Sequence, residues 1–287
     1  MVARVMERLR EAGIHRCVVI VGEDEGEVAS YLHSFHHRGD QITFCLQAAS
    51  LGLAHALAEA LHSLTGPFVL VNSELLFPAD FLPRLLRRFE AAETAAVLGV
   101  IQVREQWQQS LLPVRIEGEF VSAVLQAPQS SGEGEYGAFL AYACAPAALP
   151  YLTGQRAILR TEHDLPEVLQ RMIADGLPIG HAHAAWALRL IEYADLLAIN
   201  RLLLREERDA HILSELPGSV QIVPPVRIDP HVSVGQRARI GPNVYLETDC
   251  VVGQGAVISD AVVLRGATVR AGEQVRGSVV TRRSAEL

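Results

Sequence analysis

The sequence predicts an α/β domain with a mostly parallel sheet, followed by a smaller domain of short stacked strands. Helix and strand patterns alternate over the first two hundred residues, and an aliphatic residue returns at every sixth position from Ile222 onward. The chain has 287 residues, of which 49% are hydrophobic, so it can supply two cores. We predict domains at 1–205 and 220–287, joined by a linker at 206–219.

The first domain alternates amphipathic helices with short buried strands. Gly13 ends the first helix, because glycine readily adopts the left-handed conformation found at helix C-termini. This alternation favours helices on both faces of the sheet and right-handed crossovers. The predicted helices are Val2–Ala12, Asp24–Phe35, Leu53–Leu64 and Pro78–Phe89, and the predicted strands are Cys17–Val21, Ile42–Leu46, Phe68–Asn72 and Ala95–Val103.

The second domain carries the six-residue repeat. Glycine follows three of its rungs, at Gly235, Gly241 and Gly253, where the chain must turn without a Cβ in the way. Period two inside period six predicts short strands whose successive coils bury each other's apolar faces. The pattern resembles the hexapeptide left-handed β-helix family, and its length predicts two to three coils. The predicted rungs are Ile222, Ile228, Val234, Ile240, Leu246, Val252, Ile258 and Leu264.

The composition argues against several classes of protein. A formal net charge of −8 and a pI near 5.8 disfavour a nucleic-acid or anionic-membrane surface, since phosphate binding needs clustered Lys and Arg. The sequence contains neither an apolar run long enough to span a membrane nor a secretory apolar stretch at its start. Four widely spaced cysteines predict buried thiols. We therefore expect a cytoplasmic protein.

Ligands of open α/β sheets bind outside the carboxyl ends of the strands, so the residues that follow each strand are the candidate binding residues. These are Val21-Gly22, Gln47 and Asn72-Ser73-Glu74.

Several stretches of the chain resemble the motifs of one enzyme family, and they occur in the same order as in that family. They are residues 3–22, residues 47–54 with Gln47 and Gly-Leu-Ala, residues 68–77 with Asn72-Ser73-Glu74, and Trp186 followed by Tyr193–Asn200. Together they resemble the sugar-phosphate nucleotidyltransferases of the glucose-1-phosphate thymidylyl or uridylyl type. That family joins a nucleoside triphosphate to a sugar 1-phosphate and releases pyrophosphate, and a hexapeptide tail is a common appendage. The resemblance implies a Rossmann-like fold and Mg²⁺ as the cofactor.

The resemblance also implies three site residues. Gln47 would read a uracil or thymine edge, Gly52 would allow close approach of the ring, and Glu74 would ligate the metal. A strand-end polar residue, a helix-start glycine and an exposed carboxylate are the ordinary interpretations of the same positions.

The family pattern is incomplete in this chain. The glycine-rich Thr-Arg loop and its preceding strand are absent, Leu188 stands where an aspartate follows the tryptophan, and Ala127 replaces the lysine that meets the sugar phosphate. The segment Gly132–Gly137 does not replace the loop, because it follows polar residues and contains two glutamates. We expect weak or no catalysis, either because the sequence begins downstream of the loop or because this is a non-catalytic relative. The internal losses favour the second explanation.

Two other functions are open. A structural or regulatory subunit would form a homo- or hetero-oligomer through the repeat domain, pairing with an intact enzyme. A hexapeptide acyltransferase would need a catalytic histidine, for which His231 is the candidate in the repeat.

Two pairs of histidines are weaker candidates for metal or phosphate binding than the strand-end residues. His36 and His37 are adjacent near a helix end and point in different directions, whereas His181 and His183 alternate on a predicted strand and share one face.

Overall fold

The computed structural model describes residues 1–35, 40–47, 53–103, 111–125, 136–153, 165–207 and 210–282. The chain divides into two compact units, Met1–Arg189 and Leu190–Leu287. This division lies before the boundary predicted at residue 205, because the helix Tyr193–Glu207 packs with the second unit. Within these described ranges, no helix is both long and apolar enough to cross a bilayer.

The first unit contains the predicted alternation of helices and strands, within a few residues at each end. Its helices are α1 Val2–Glu11, α2 Gly26–Phe35, α3 Leu53–Ala60, α4 Phe81–Ala91, α5 Leu149–Leu152 and α6 Leu165–Ala174. Its strands are β1 Arg16–Gly22, β2 Gln41–Gln47, β3 Phe68–Val71, β4 Leu75–Leu76, β5 Ala96–Gln102, β6 Leu112–Glu117, β7 Phe120–Val124, β8 Tyr136–Cys144, β9 Ile179–His183 and β10 Leu188–Arg189.

The strands of the first unit confirm the predicted α/β class and refine its strand directions. Strands β1 and β2 pair in parallel, and a six-stranded sheet has the order β3-β8-β5-β9-β7-β6. In this larger sheet β5 and β9 are parallel, while the other pairings are antiparallel, so the sheet is mixed. One reason is the tight turn between β6 and β7, where Gly118 has a φ of 61° and joins antiparallel neighbours.

Helices cover both faces of the larger sheet, as predicted. Successive residues of β5 point to opposite faces, so Val97 lies in one core with α4, and Leu98 lies in the other with α6. Val5 of α1 joins the α4 side. Both faces are therefore covered by apolar side chains, and the strand ends remain the places where polar residues can meet a ligand.

The second unit consists of helix α7, Tyr193–Glu207, and a stack of parallel strands of the kind found in a short β-helix. Its three sheets follow three sides of the stack. The first contains β11 Ala210–Ile212, β13 Val226–Ile228, β16 Val244–Leu246, β19 Ala261–Val263 and β22 Val279–Val280. The second contains β12 Gln221–Ile222, β15 Arg239–Ile240, β18 Val257–Ser259 and β21 Gln274–Arg276, and the third contains β14 Ser233–Val234, β17 Val251–Val252 and β20 Thr268–Val269.

The register of this stack corrects the last predicted rung. Ile222 pairs with Ile240 and Ile240 with Ile258, but Leu246 pairs with Val263, one residue earlier than an unbroken repeat requires. Val263 is fully buried and Leu264 is only half-buried, so the prediction of Leu264 as a rung was wrong. The cause is a shorter corner, since β19 begins at the third residue after Ile258, whereas β16 begins at the fourth after Ile240.

The glycines predicted at the corners are required by close approach of the neighbouring coil. A Cβ on Gly235 would overlap the backbone of Gln254, and one on Gly241 would overlap the carbonyl oxygen of Val223. Gly241 also has a φ of 110°, which side-chain-bearing residues rarely adopt. The strand β11 lies inside the predicted linker and pairs with β13, so part of that segment belongs to the stack.

Helix α7 is joined to the stack at one corner of two successive coils. The Asn200 side-chain amide donates to the Asn243 carbonyl at 3.0 Å, and the Arg201 guanidinium donates two hydrogen bonds to the Asp260 carboxylate. Ile199 and Leu204 are buried. A charge-assisted bidentate pair of this kind fixes geometry as well as adding energy, so it orients the helix on the stack.

The Arg201–Asp260 pair predicts a pH-dependent stability. Hydrogen bonding to Arg201 lowers the pKa of Asp260, so the folded state releases the proton more readily than the unfolded state. The contribution is present above the unfolded pKa and is lost as pH falls through the folded one. Asp260→Asn should lower the free energy of unfolding by about 1 kcal/mol at neutral pH, a figure already reduced for the partial exposure of the pair. The difference in this free energy between the variant and wild type should disappear below about pH 4.

Urea unfolding between pH 3 and 7 measures this gap. Asp80→Asn is the matched control, because Asp80 pairs with Arg84 at a side-chain exposure of 71%, against 25% for Asp260. A gap that stays constant with pH for Asp260→Asn would contradict the assignment.

Candidate functional site

The ends of β1 and β2 carry the first group of candidate residues. Their parallel register places Gly22 opposite Gln47, so these two residues leave the sheet side by side. The Gly22 N–H donates to the Glu25 carboxylate at 2.7 Å, which fixes the turn after β1. Gln47 is half-buried at its strand end. Gly52 lies outside the described residues, as do His36, His37, Ala127 and Gly132.

The end of β3 carries a second group of candidate residues, in a different sheet from β1 and β2, and it is organised by its own side chains. The backbone N–H of Glu74 donates to the Asn72 side-chain oxygen at 2.7 Å, so Asn72 closes an Asx turn. Glu74 Oε2 lies 3.4 Å from Nε of Arg189, and the exposed fractions of the two side chains are 50% and 28%. Glu74 is therefore an ion-paired carboxylate at a strand end.

Strand pairing explains why Arg189 reaches Glu74. Strand β10 is antiparallel to β4, with Leu188 opposite Leu76 and Arg189 opposite Leu75. The stretch after Trp186 therefore lies against the residues that follow Glu74. The family resemblance implied Leu188 at the substituted metal position and gave no role to Arg189. The signal was present, since a basic residue directly follows the lost aspartate position.

The donor set at the end of β3 does not fit Mg²⁺, which takes oxygen ligands in octahedral geometry and usually needs one or two carboxylates. Glu74 offers one carboxylate, which already faces a guanidinium, and Leu188 offers an aliphatic side chain. Across the part of the chain that the structure describes, no group of three or more His, Cys, Asp or Glu residues could hold a metal ion.

The histidine pair on β9 shares one face, as predicted. The rings of His181 and His183 lie 4.9 Å apart, and Tyr136 packs edge-on against His183 at 5.0 Å. His181 Nε2 lies 3.2 Å from the Gly118 carbonyl oxygen. Burial, followed by the nearby His181 and Arg84, lowers the pKa of His183. The two rings thus belong to a packed aromatic cluster.

The remaining predicted residues lie elsewhere. His231 occupies an exposed corner of the stack with a φ of 63°. The four cysteines are free thiols, of which Cys144 and Cys250 are buried, while Cys17 and Cys45 are half-buried. Burial raises the pKa of Cys144 to about 12, so it stays protonated and acts as a small apolar side chain.

The chain consists of an α/β unit followed in sequence by a unit of stacked parallel strands. Residues 1–109 match the model of the nucleotidyl transferase family, and residues 222–285 match the model of the GMPPB C-terminal domain. The two matches cover separate parts of the chain, and neither covers half of it.

Two curated relatives match parts of this chain. The bifunctional protein GlmU of Symbiobacterium thermophilum is 29% identical over 104 residues, which cover 34% of this chain and 21% of that protein. The low-salt glycan biosynthesis nucleotidyltransferase Agl11 of Haloferax volcanii is 24% identical over 209 residues, which cover 70% of this chain and 57% of that protein. The chain therefore spans less than two thirds of the length of either relative.

Solved structures share the fold at low identity. A putative glucose-1-phosphate thymidylyltransferase from Bacillus anthracis superposes with a TM-score of 0.60 at 17% identity, covering 70% of this chain and 81% of that one. The inositol-1-phosphate CTP transferase from T. maritima gives 0.55 at 17% identity, covering 68% and 78%. At such identities the likeness establishes the fold alone.

Proposed function

We propose that this chain is a sugar-1-phosphate nucleotidyltransferase homologue of the uridylyl or thymidylyl type, with weakened or no transfer activity. The observation that carries the proposal is Gln47, which ends β2 beside Gly22 at the end of β1. The match of residues 1–109 to the nucleotidyl transferase family supports the same function. We further propose a nucleoside triphosphate and a sugar 1-phosphate as its ligands, and the cytoplasm as its location.

The chemistry of Gln47 suits a pyrimidine base. A carboxamide carries both donors and an acceptor, and the edge of uracil or thymine presents an N–H between two carbonyl oxygens. A glutamine carboxamide therefore suits a bidentate contact with this edge. Gly52 would let the ring approach the backbone, since it has no Cβ.

Weak catalysis follows from the charges at the end of β3. Transfer of a nucleotidyl group uses Mg²⁺ to neutralise the charge that develops on the phosphates. The carboxylate of Glu74 is paired with Arg189, and Leu188 supplies no oxygen donor. Loss of a single electrostatic donor costs ~3 kcal/mol of transition-state stabilisation, which slows a reaction more than a hundredfold.

Substitution of Gln47 tests the nucleotide site. Gln47→Ala should weaken binding of UTP or dTTP by about tenfold, the effect of one lost bidentate contact. Isothermal titration calorimetry of the full chain measures this change. Gln41→Ala is the matched control, because Gln41 is the same residue type at the opposite end of β2 and should leave affinity unchanged. Equal affinity of wild type and Gln47→Ala would remove Gln47 from the site.

The pairing of Glu74 with Arg189 also favours a second candidate, a non-catalytic subunit that pairs with an intact nucleotidyltransferase through the parallel-stranded unit. Pyrophosphate release from UTP or dTTP with Mg²⁺ and a hexose 1-phosphate separates the two candidates. Release supports the weakened enzyme. Retained nucleotide binding without release, together with native co-purification of a full-length relative, supports the subunit.

A further inference from the structure

The position of Arg189 at the end of β3 is set by the backbone. Strand β10 holds it opposite Leu75, the residue that directly follows Glu74, and the Asn72 turn holds Glu74 in place. The two charged side chains therefore meet because a strand pair and a turn bring them together. Their contact, Nε to Oε2 at 3.4 Å, joins residues that are 115 positions apart.

The chemistry of this pair is that of a carboxylate with its counter-ion already supplied. A guanidinium carries a permanent positive charge and presents its donors in a planar fork that matches a carboxylate. A divalent ion bound at Glu74 would lie beside that charge and would be repelled by it. It would also find the aliphatic Leu188 where a second oxygen ligand is needed.

The neighbouring polar groups do not supply the oxygen ligands that a divalent ion at Glu74 would need. The side-chain oxygen of Asn72 already accepts the Glu74 N–H. Mg²⁺ releases its waters reluctantly and binds weakly to one carboxylate, so the remaining ligand set is insufficient.

We propose that the guanidinium of Arg189 takes the place of a divalent cation at the end of β3, so that this chain holds no divalent metal at Glu74. The positive charge at this strand end is then part of the protein and does not depend on the supply of an ion. The inference concerns metal binding alone, so it stands or falls separately from the nucleotide-binding function proposed above.

Titration of the full chain with Mn²⁺, followed by electron paramagnetic resonance, tests the proposal without any nucleotide. We expect wild type to bind no Mn²⁺ that depends on Glu74. The double variant Leu188→Asp with Arg189→Ala removes the guanidinium and adds a second carboxylate, and it should gain Mn²⁺ binding at least about tenfold tighter than any residual binding of wild type.

Two further variants make the result specific. Arg84→Ala removes an arginine from the exposed Asp80–Arg84 pair on α4 and should gain no Mn²⁺ binding. Glu74→Gln, in the wild-type background, identifies any binding that uses the carboxylate.

Mn²⁺ binding by wild type that Glu74→Gln abolishes would overturn the proposal, and so would a folded double variant with no gain. Binding that Glu74→Gln leaves unchanged lies elsewhere and supports it. Circular dichroism establishes whether the double variant folds, and the comparison of wild type with Glu74→Gln decides the question if it does not.

Discussion

Replacement of Gly253 by alanine is expected to destabilise the parallel-stranded unit by about 3 kcal/mol or more, the upper range for overpacking. A Cβ at this position would lie 2.6 Å from the Arg270 carbonyl carbon and 2.7 Å from the Ala271 Cα. Both are backbone atoms of the next coil, which cannot rotate away as a side chain could. The chain can accept the methyl group only by separating two coils and their ladder of hydrogen bonds.

Gly218→Ala is the matched control for this prediction. Gly218 belongs to the same unit, but an added Cβ there meets nothing within 4 Å. Its substitution should change the free energy of unfolding by no more than about 0.5 kcal/mol. Urea unfolding followed by circular dichroism gives the two free energies, and hydrogen exchange in β17 and β20 localises the loss. Equal stability of the two variants would contradict the close approach of Gly253 to the next coil.

In the parallel-stranded unit, the sequence predicts the corner glycines but not the position of the last rung. The glycines that follow the rungs are visible because close approach of two backbones leaves no alternative residue. The shift from Leu264 to Val263 could not be predicted, since the length of a corner depends on how the chain turns after β18, where Asp260 has a φ of 52°. Apolar residues stand at 262, 263 and 264, so composition alone could not choose the rung.

At the candidate site, too, the sequence predicts local features but not contacts between distant segments. The placement of Gln47 at a strand end follows from the local pattern of β2, and the structure describes it there. The ion pair of Glu74 depends on β4 meeting β10, a pairing between segments more than one hundred residues apart. Helix α7 groups with the second unit for a similar reason, since its contacts with Asp260 are tertiary.

The mixed sheet has a related cause. Alternation of helix and strand continues through β5, and up to that point parallel pairing is the natural expectation. Beyond it, the hairpin of β6 and β7 and the long strand β8 add antiparallel pairs. Each described antiparallel pairing of the larger sheet involves β6, β7 or β8.

Phe81→Ala is expected to destabilise the first unit by about 4 kcal/mol, the usual cost of removing a fully buried phenylalanine ring. Phe81 is fully buried, and its ring lies 5.2 Å from that of Phe77 and 5.1 Å from that of Phe139. The fit is tight enough that a Cβ on Gly99 of β5 would lie 2.8 Å from the Phe81 ring. The ring is therefore closely packed against β5, and its removal would leave a cavity.

The cavity would also affect the candidate site, because Phe77 lies three residues after Glu74 and loses its packing partner. Phe120→Ala is the control, since Phe120 is 42% exposed at the start of β7 and should cost about 1 kcal/mol or less. Urea unfolding measures both variants, and hydrogen exchange over residues 72–77 should rise only in Phe81→Ala. Unchanged hydrogen exchange in residues 72–77 would show that the core beneath α4 does not stabilise the turn that holds Glu74 against Arg189.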